Sequence, residues 1–202
     1  MNRPSHSNRL ILGSTSIYRK QLLEKLKIPF IVVRPDCDED AVTAQLKKDQ
    51  LNKSNWAEHL AYAKARSITE HGTVITSDQT VLFENEILGK PKTFERAFAQ
   101  LQKMQGEIHH LITAVVIRHA DKFVHHVQVD QMQMRDLTDT EIKNYLELDQ
   151  PYDAAGSYKI ENAGITLFAS VNCDDFTGIQ GLPMIWLSQK LKEFNYEFYG
   201  KN

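Results

Sequence analysis

Short apolar runs and longer helical repeats alternate along this chain. Arg9 to Leu12 reads as a buried strand, and Ser16 as the N-cap of a helix whose Leu22, Leu23 and Leu26 recur at helical spacing. Phe30 to Val33 predicts a second strand closed by Pro35, and the acidic run Asp36 to Asp40 follows. Trp56 to Ile68 carries apolar and alanine positions at helical spacing, with Gly72 as its stop. Thr73 to Thr76 is then a strand ending at Ser77-Asp78-Gln79, with Val81 to Phe83 continuing extended. Phe94 to Met104 predicts a helix that ends before Gly106, and His110 to Arg118 and Phe123 to Met134 predict consecutive strands. Thr138 with Glu141 has the capping-box spacing and opens a helix that runs to about Leu148. Ile165 to Val171 reads as a strand, and Pro183 starts a last helix carrying Ile185, Leu187 and Leu191. Strands and helices alternate while some neighbouring strands can pair directly, which argues for a mixed-sheet α/β fold.

Composition narrows the class of function. A chain of 202 residues with 42% hydrophobic residues can bury one ordinary core, as one domain or two closely packed lobes. A net charge of −2 offers no basic excess for binding long nucleic acid, so an anionic ligand must meet a local cluster of Lys and Arg. Cys37 and Cys173 stand far apart and form no CxxC, which suggests neither a disulfide framework nor a zinc site and fits a reducing cytoplasm. Residues 1–9 are polar and expected to be flexible, and no apolar run approaches membrane-span length, so a soluble protein is expected.

Four stretches bear chemistry. The turn Gly13-Ser14-Thr15-Ser16 leads from a strand into a helix, which places backbone N–H groups, hydroxyls and the positive end of a helix dipole together. Arg19 and Lys20 stand in the first turn, where the dipole disfavours them unless an anion compensates; on its own the stretch reads more simply as a capped surface helix with solvated basic residues. Asp78 follows an apolar strand, where a carboxylate can hold Mg²⁺ or orient a water, or merely shape a turn. Asp36, Asp38, Glu39 and Asp40 repel one another unless solvated or bound to metal. Lys64 lies among small residues on a predicted helix and Lys90 between Gly89 and Pro91, both suited to single phosphate oxygens. The adjacent pairs His109-His110 and His125-His126 fall in predicted strands, where neighbours face opposite ways; surface or edge histidines are expected. No GxSxG motif supports a serine nucleophile.

Taken together, "LILGSTSIYRKQLLEKL", "CDED", "AYAKA", "SDQTVLFENEILGKP" and "YDAAGSYKIENAGITLF...GIQGLP" resemble, in order and spacing, the Maf family of nucleoside triphosphate pyrophosphatases from Leu10 to about Phe194. The resemblance implies an elongated mixed β-sheet with flanking helices, two lobes around a cleft and a homodimer. It implies a single domain over residues 10–202 and metal-dependent (Mg²⁺ or Mn²⁺) hydrolysis between the α- and β-phosphates of a small-molecule nucleotide. It assigns Ser14, Arg19, Lys64 and Lys90 to the phosphates, Glu39 with Asp78 to the metal, and Asp78 to catalysis. The chain departs from the usual family pattern at Ile17, where Pro is common, and at Tyr18, where Arg is common.

Within that family Tyr18, Gln79 and Glu161 resemble the branch acting on 7-methylguanosine triphosphate. The methylated ring is cationic and is attracted to an aromatic face by about 0.5–2 kcal/mol. A carboxylate such as Glu161 can accept from the guanine N1–H and amino group, bonds worth about 1.5–3 kcal/mol. A dTTP/UTP pyrophosphatase of the same family, and a cell-division regulator with incidental hydrolysis, are the alternatives.

Overall fold

The computed structural model describes residues 9–199, so the expected flexible N-terminus lies outside the described residues except for Arg9. Among the described residues, seven strands form one mixed sheet: β1 (Leu10–Leu12), β2 (Phe30–Val32), β3 (Thr73–Phe83), β4 (Glu86–Leu88), β5 (Ile108–His119), β6 (Lys122–Met134) and β7 (Phe168–Asn172). The strand order is β2-β1-β3-β5-β6-β7, with β4 paired to β3. β1 is parallel to β2 and β3, while β4 is antiparallel to β3 and β7 to β6. Helices α1 (Ile17–Glu24), α2 (Glu39–Lys48), α3 (Trp56–Ser67), α4 (Phe94–Met104), α5 (Asp139–Asp149), α6 (Phe176–Ile179) and α7 (Met184–Glu193) accompany it. This is the mixed α/β class that the hydrophobic pattern predicts. No described helix is long and apolar enough to cross a membrane.

The chain divides into two compact units, through both of which β3, β5 and β6 run. The first unit comprises residues up to Gln79, Thr113–Gln128 and the chain from Asp175 onward. Its sheet is apolar on both faces. Leu10, Leu12 and Ile75 pack with Leu22 and Leu23 of α1 and Leu187 and Leu191 of α7, whereas Ile11 and Val74 pack with Ile68 just past α3. The alternation follows from the two-residue period of a strand. Ala57, Ala61 and Ala65 are fully buried, so α3 presents its small residues inward and lies close to its neighbours.

The second unit comprises Thr80–Ile112 and Val129–Asp174. The β3–β4 hairpin turns through Glu84 and Asn85, both at positive φ, as tight hairpin turns require. Helices α4 and α5 pack on one another, and α5 opens with the expected capping box, Thr138 Oγ1 accepting from the Glu141 N–H. His109 is fully buried between Tyr158 and Phe168, with ring centroids 5.5 and 5.9 Å away, and its Nε2 pairs with the Tyr158 hydroxyl at 3.0 Å.

Several elements differ from the sequence reading. The acidic run leads into a helix: Asp38 caps α2 by accepting from the Ala41 N–H, Glu39 and Asp40 occupy its first turn, and Lys47 and Lys48 its last. Those charges complement the helix dipole, so their mutual repulsion is offset without a metal. α3 ends at Ser67 because Ile68 is extended, well before Gly72. Asp78 lies inside the unbroken strand β3 and not at a strand end. Its partner β1 is only three residues long and pairs with Thr73 to Ile75, which is why the pattern looked broken there. Residues Ala163–Leu167 are a 3₁₀ turn, so β7 starts only at Phe168, and the short α6 was not anticipated. His109 is a core residue and not the surface histidine expected, whereas its neighbour His110 is exposed.

Burial holds the His109 imidazole down to about pKa 4 from an ordinary 6.5. Between those values the unfolded chain binds the extra proton, so stability rises with pH through this window and is lost as pH falls. The full effect is about 3 kcal/mol at most, from roughly 1.4 kcal/mol per pK unit. His109→Phe is expected to flatten the dependence of thermal unfolding on pH between 7 and 4; the same slope in both proteins would refute this role.

Candidate active site

The first unit gathers most of the residues that the resemblance assigns. Gly13 ends β1 with its N–H donating to the Ile75 carbonyl at 2.7 Å. A Cβ there would lie 2.3 Å from Ile68 Cδ1 and 2.6 Å from Thr76 Cγ2, so only glycine fits this close approach. Ser14 follows, buried, its Oγ accepting from the Ser16 N–H and from Arg19 Nη1 at 3.4 Å. Ser16 caps α1 as expected, accepting from the Arg19 N–H. The first turn of α1 holds no acidic residue, and Lys20 pairs with Glu24 one turn later. Tyr18 stands half-buried at the second position of α1.

Asp78 is reached from α3. On β3 the even positions face that helix: Thr76 Oγ1 donates to the Ala61 carbonyl at 2.8 Å, and Asp78 Oδ1 accepts from Lys64 Nζ at 2.5 Å. The same ammonium lies 3.2 Å from Glu39 Oε1. The Lys64 and Asp78 side chains are only 9% and 12% exposed, whereas that of Glu39 is 54% exposed. Lys64 is therefore a buried cation between one buried and one solvated carboxylate. Burial raises the Asp78 carboxyl above the ordinary carboxylate value, against the opposing pull of Lys64 and Arg19. Cys37 adjoins the same charges, and burial pushes its thiol up; nothing in its sequence setting signalled this placement, and neither cysteine forms a disulfide.

The odd positions of β3 face the other way. Ser77 Oγ donates to the Gly181 carbonyl at 2.7 Å, and Arg19 Nε donates to the same oxygen at 3.2 Å. Gln79 Nε2 donates to Thr113 Oγ1 and to the carbonyls of Gly178 and Ile179, at 2.7, 3.2 and 3.0 Å. Its amide N–H groups are spent within the protein. Ser77, Thr113 and Gly181 were not singled out in the sequence; the period of β3 on either side of Asp78 was the signal that could have found Ser77.

Lys90 and Glu161 belong to the second unit. Lys90 is exposed after β4, and its charge helps hold the Asp153 carboxyl low, behind the hydrogen bond that Lys159 donates to it. Glu161 adds its negative charge to the burial that raises the Tyr145 and Tyr158 hydroxyls.

Two carboxylates here would hold a divalent cation. No cluster of three or more His, Cys, Asp or Glu exists among the described residues, but Asp78 and Glu39 converge on one point, where Lys64 Nζ stands. Mg²⁺ commonly takes one or two carboxylates and completes its shell with water and substrate phosphates, so this pair fits.

Comparison with known proteins shows the family. The Maf-like protein family model matches residues 9–194. A 7-methyl-GTP pyrophosphatase of Bdellovibrio bacteriovorus is 43% identical over 187 residues, 92% of this chain and 97% of that protein. One from Polaromonas sp. is 43% identical over 184 residues, covering 89% of this chain and 81% of the relative. Another, from Hydrogenovibrio crunogenus, is 36% identical over 198 residues and 96% of each chain. With a family match over most of its length and relatives 36–43% identical across nearly the whole chain, this chain belongs to the Maf family.

Proposed function

We propose that this protein is a nucleotide pyrophosphatase that hydrolyses 7-methylguanosine triphosphate to 7-methylguanosine monophosphate and pyrophosphate. The observation that carries the reaction type is the buried Lys64 ammonium bridging Asp78 and Glu39. The similarity to relatives named 7-methyl-GTP pyrophosphatase supports the choice of base.

In this reading Ser14, Arg19, Lys64 and Lys90 take the phosphate oxygens and stabilise the charge that accumulates at the leaving pyrophosphate. A divalent cation, Mg²⁺ or Mn²⁺, held by Asp78 and Glu39 when bound, would supply further charge neutralisation and a more acidic water. Asp78 orients the attacking water or accepts its proton, and its raised pKa makes it a better base than an ordinary aspartate. Lys64 keeps that carboxylate ionised and fixes its position. Tyr18 offers the aromatic face for the cationic methylated ring, and Glu161 the acceptor for the guanine edge. Gln79 contributes to specificity through the backbone it holds, since its N–H groups are already engaged. The protein is proposed to act as a homodimer in the cytoplasm.

Two measurements test this. Across a panel of nucleoside triphosphates with Mg²⁺ or Mn²⁺, 7-methyl-GTP is expected to release pyrophosphate fastest; faster release from dTTP or UTP rejects the choice. Tyr18→Arg combined with Glu161→Gln should shift preference toward pyrimidines, and Asp78→Asn should cost on the order of 10³-fold or more in kcat with the fold retained. The pH profile is the second measurement. Because Lys64 lowers the pKa of Asp78, Lys64→Met should move the acidic limb of kcat/KM to higher pH, besides lowering its height. A limb that stays in place would show that Asp78 is not the titrating base.

A further inference from the structure

We propose that Ser77 is a positioning residue that sets the Arg19 guanidinium through a shared acceptor, the Gly181 carbonyl. The inference rests on the reading of Arg19 as a phosphate ligand, and it adds the device that aims it. Ser77 is 1% exposed and points away from Asp78, so it has no part in the carboxylate cluster. Its hydroxyl and Arg19 Nε meet on one oxygen, at 2.7 and 3.2 Å. A guanidinium is a planar fork, so tying Nε to Gly181 and Nη1 to Ser14 Oγ fixes its plane and leaves its direction little freedom. Gly181 has φ +105°, and a Cβ there would approach Arg19 Nε to 2.9 Å, so the glycine lets the guanidinium close on the carbonyl.

The acceptor itself is held rigidly. Thr113 Oγ1 and Gln79 Nε2 both donate to the Gly178 carbonyl, and Gln79 also binds that of Ile179. Upstream, the Asp175 carboxylate accepts from Thr177 N–H, Thr177 Oγ1 and Ile185 N–H, while Gln128 Nε2 donates to the Asp175 carbonyl. Residues 175–181 thus form a strap fastened to the back of β3, the face opposite Asp78. Alternation along the strand places the base and the fastening of the phosphate arginine on consecutive residues, so the two are registered by one piece of backbone.

A double-mutant cycle decides it. In kcat/KM for 7-methyl-GTP, Ser77→Ala is expected to cost about tenfold, and Ser77→Ala added to Arg19→Ala to cost nothing beyond Arg19→Ala alone. Multiplying losses would overturn the proposal, since Ser77 would then act independently of Arg19. Arg19→Lys, a change at a half-exposed site, keeps the charge and loses the planar fork that makes both ties at once; it is expected to lose nearly as much as Arg19→Ala. Near-wild-type activity in Arg19→Lys would show that charge without orientation suffices, and would overturn it even where Ser77→Ala does not fold. Calorimetric affinity for pyrophosphate across the same proteins gives the cycle without turnover. A wild-type enzyme inactive on 7-methyl-GTP therefore refutes the substrate reading alone, while additive losses in an active one refute this inference alone.

Discussion

The buried ammonium of Lys64 is the constraint around which the first unit is arranged. A lysine with its side chain 9% exposed survives as a cation only if carboxylates replace its lost hydration, and Asp78 and Glu39 do so at 2.5 and 3.2 Å. Removing one partner of a buried pair commonly costs about 3–5 kcal/mol, so these residues are held together by more than proximity. The pair also dictates its surroundings. α3 must lie close to β3 for the lysine stem to reach, and the fully buried Ala57, Ala61 and Ala65 allow it. α2 must begin at Glu39 for the second carboxylate to arrive, and the Asp38 cap fixes that start.

β3 then distributes the chemistry by its period of two. Val74, Thr76 and Asp78 face α3, and Ile75, Ser77 and Gln79 face the opposite way. Past Ile75, where β1 gives way to the loop at Gly13, β3 carries a run of polar residues, Thr76 to Thr80. Val74 and Ile75 pack against apolar side chains on the two faces, whereas Ser77 and Asp78 put a backbone tether on one side and a buried carboxylate on the other. The change from core to site is a consequence of a neighbouring strand only three residues long.

Much of this was legible in the sequence, for local reasons. The caps at Ser16 and Thr138, and the helix Phe94–Met104, are fixed by short-range bonds and a clear repeat, and the structure has them as predicted. The Gly13–Ser16 turn and the carboxylates stood out as candidates because polar residues interrupt apolar runs there. One failure was local, and the others depend on partners remote in sequence. The acidic run was read as charge repulsion because a helix dipole is invisible until the helix is assigned. β3 was read as broken because its continuity comes from β4, which pairs with Val81 to Phe83. The burial of His109 is set by Tyr158, 49 residues away, and the Ser77 hydroxyl meets its acceptor 104 residues away. Lys90 stood out through its Gly and Pro neighbours, whereas Glu161 was named through the resemblance alone, since neither periodicity nor spacing could assign it a role.

Charge balance at the first unit's cluster argues for what else the reaction draws on. Arg19 and Lys64 carry two positive charges, and Asp78 and Glu39 carry two negative ones when ionised. Lys20 is paired with Glu24 on the exposed face of α1. The cluster is therefore close to neutral, in a chain of net charge −2, while a triphosphate brings several negative charges. Side chains that neutralise one another cannot also neutralise the substrate at full strength, because each attraction to a phosphate is opposed by a carboxylate at similar range. Extra positive charge must arrive with the ligand or from elsewhere in the chain. A divalent cation held by Asp78 and Glu39, as proposed, would cancel the carboxylates that compete with phosphate and leave the Lys64 charge for the substrate. On physical grounds, then, the proposed metal and the buried lysine would balance the same two carboxylates, and the near-neutrality of the cluster without a cation is the reason for proposing one.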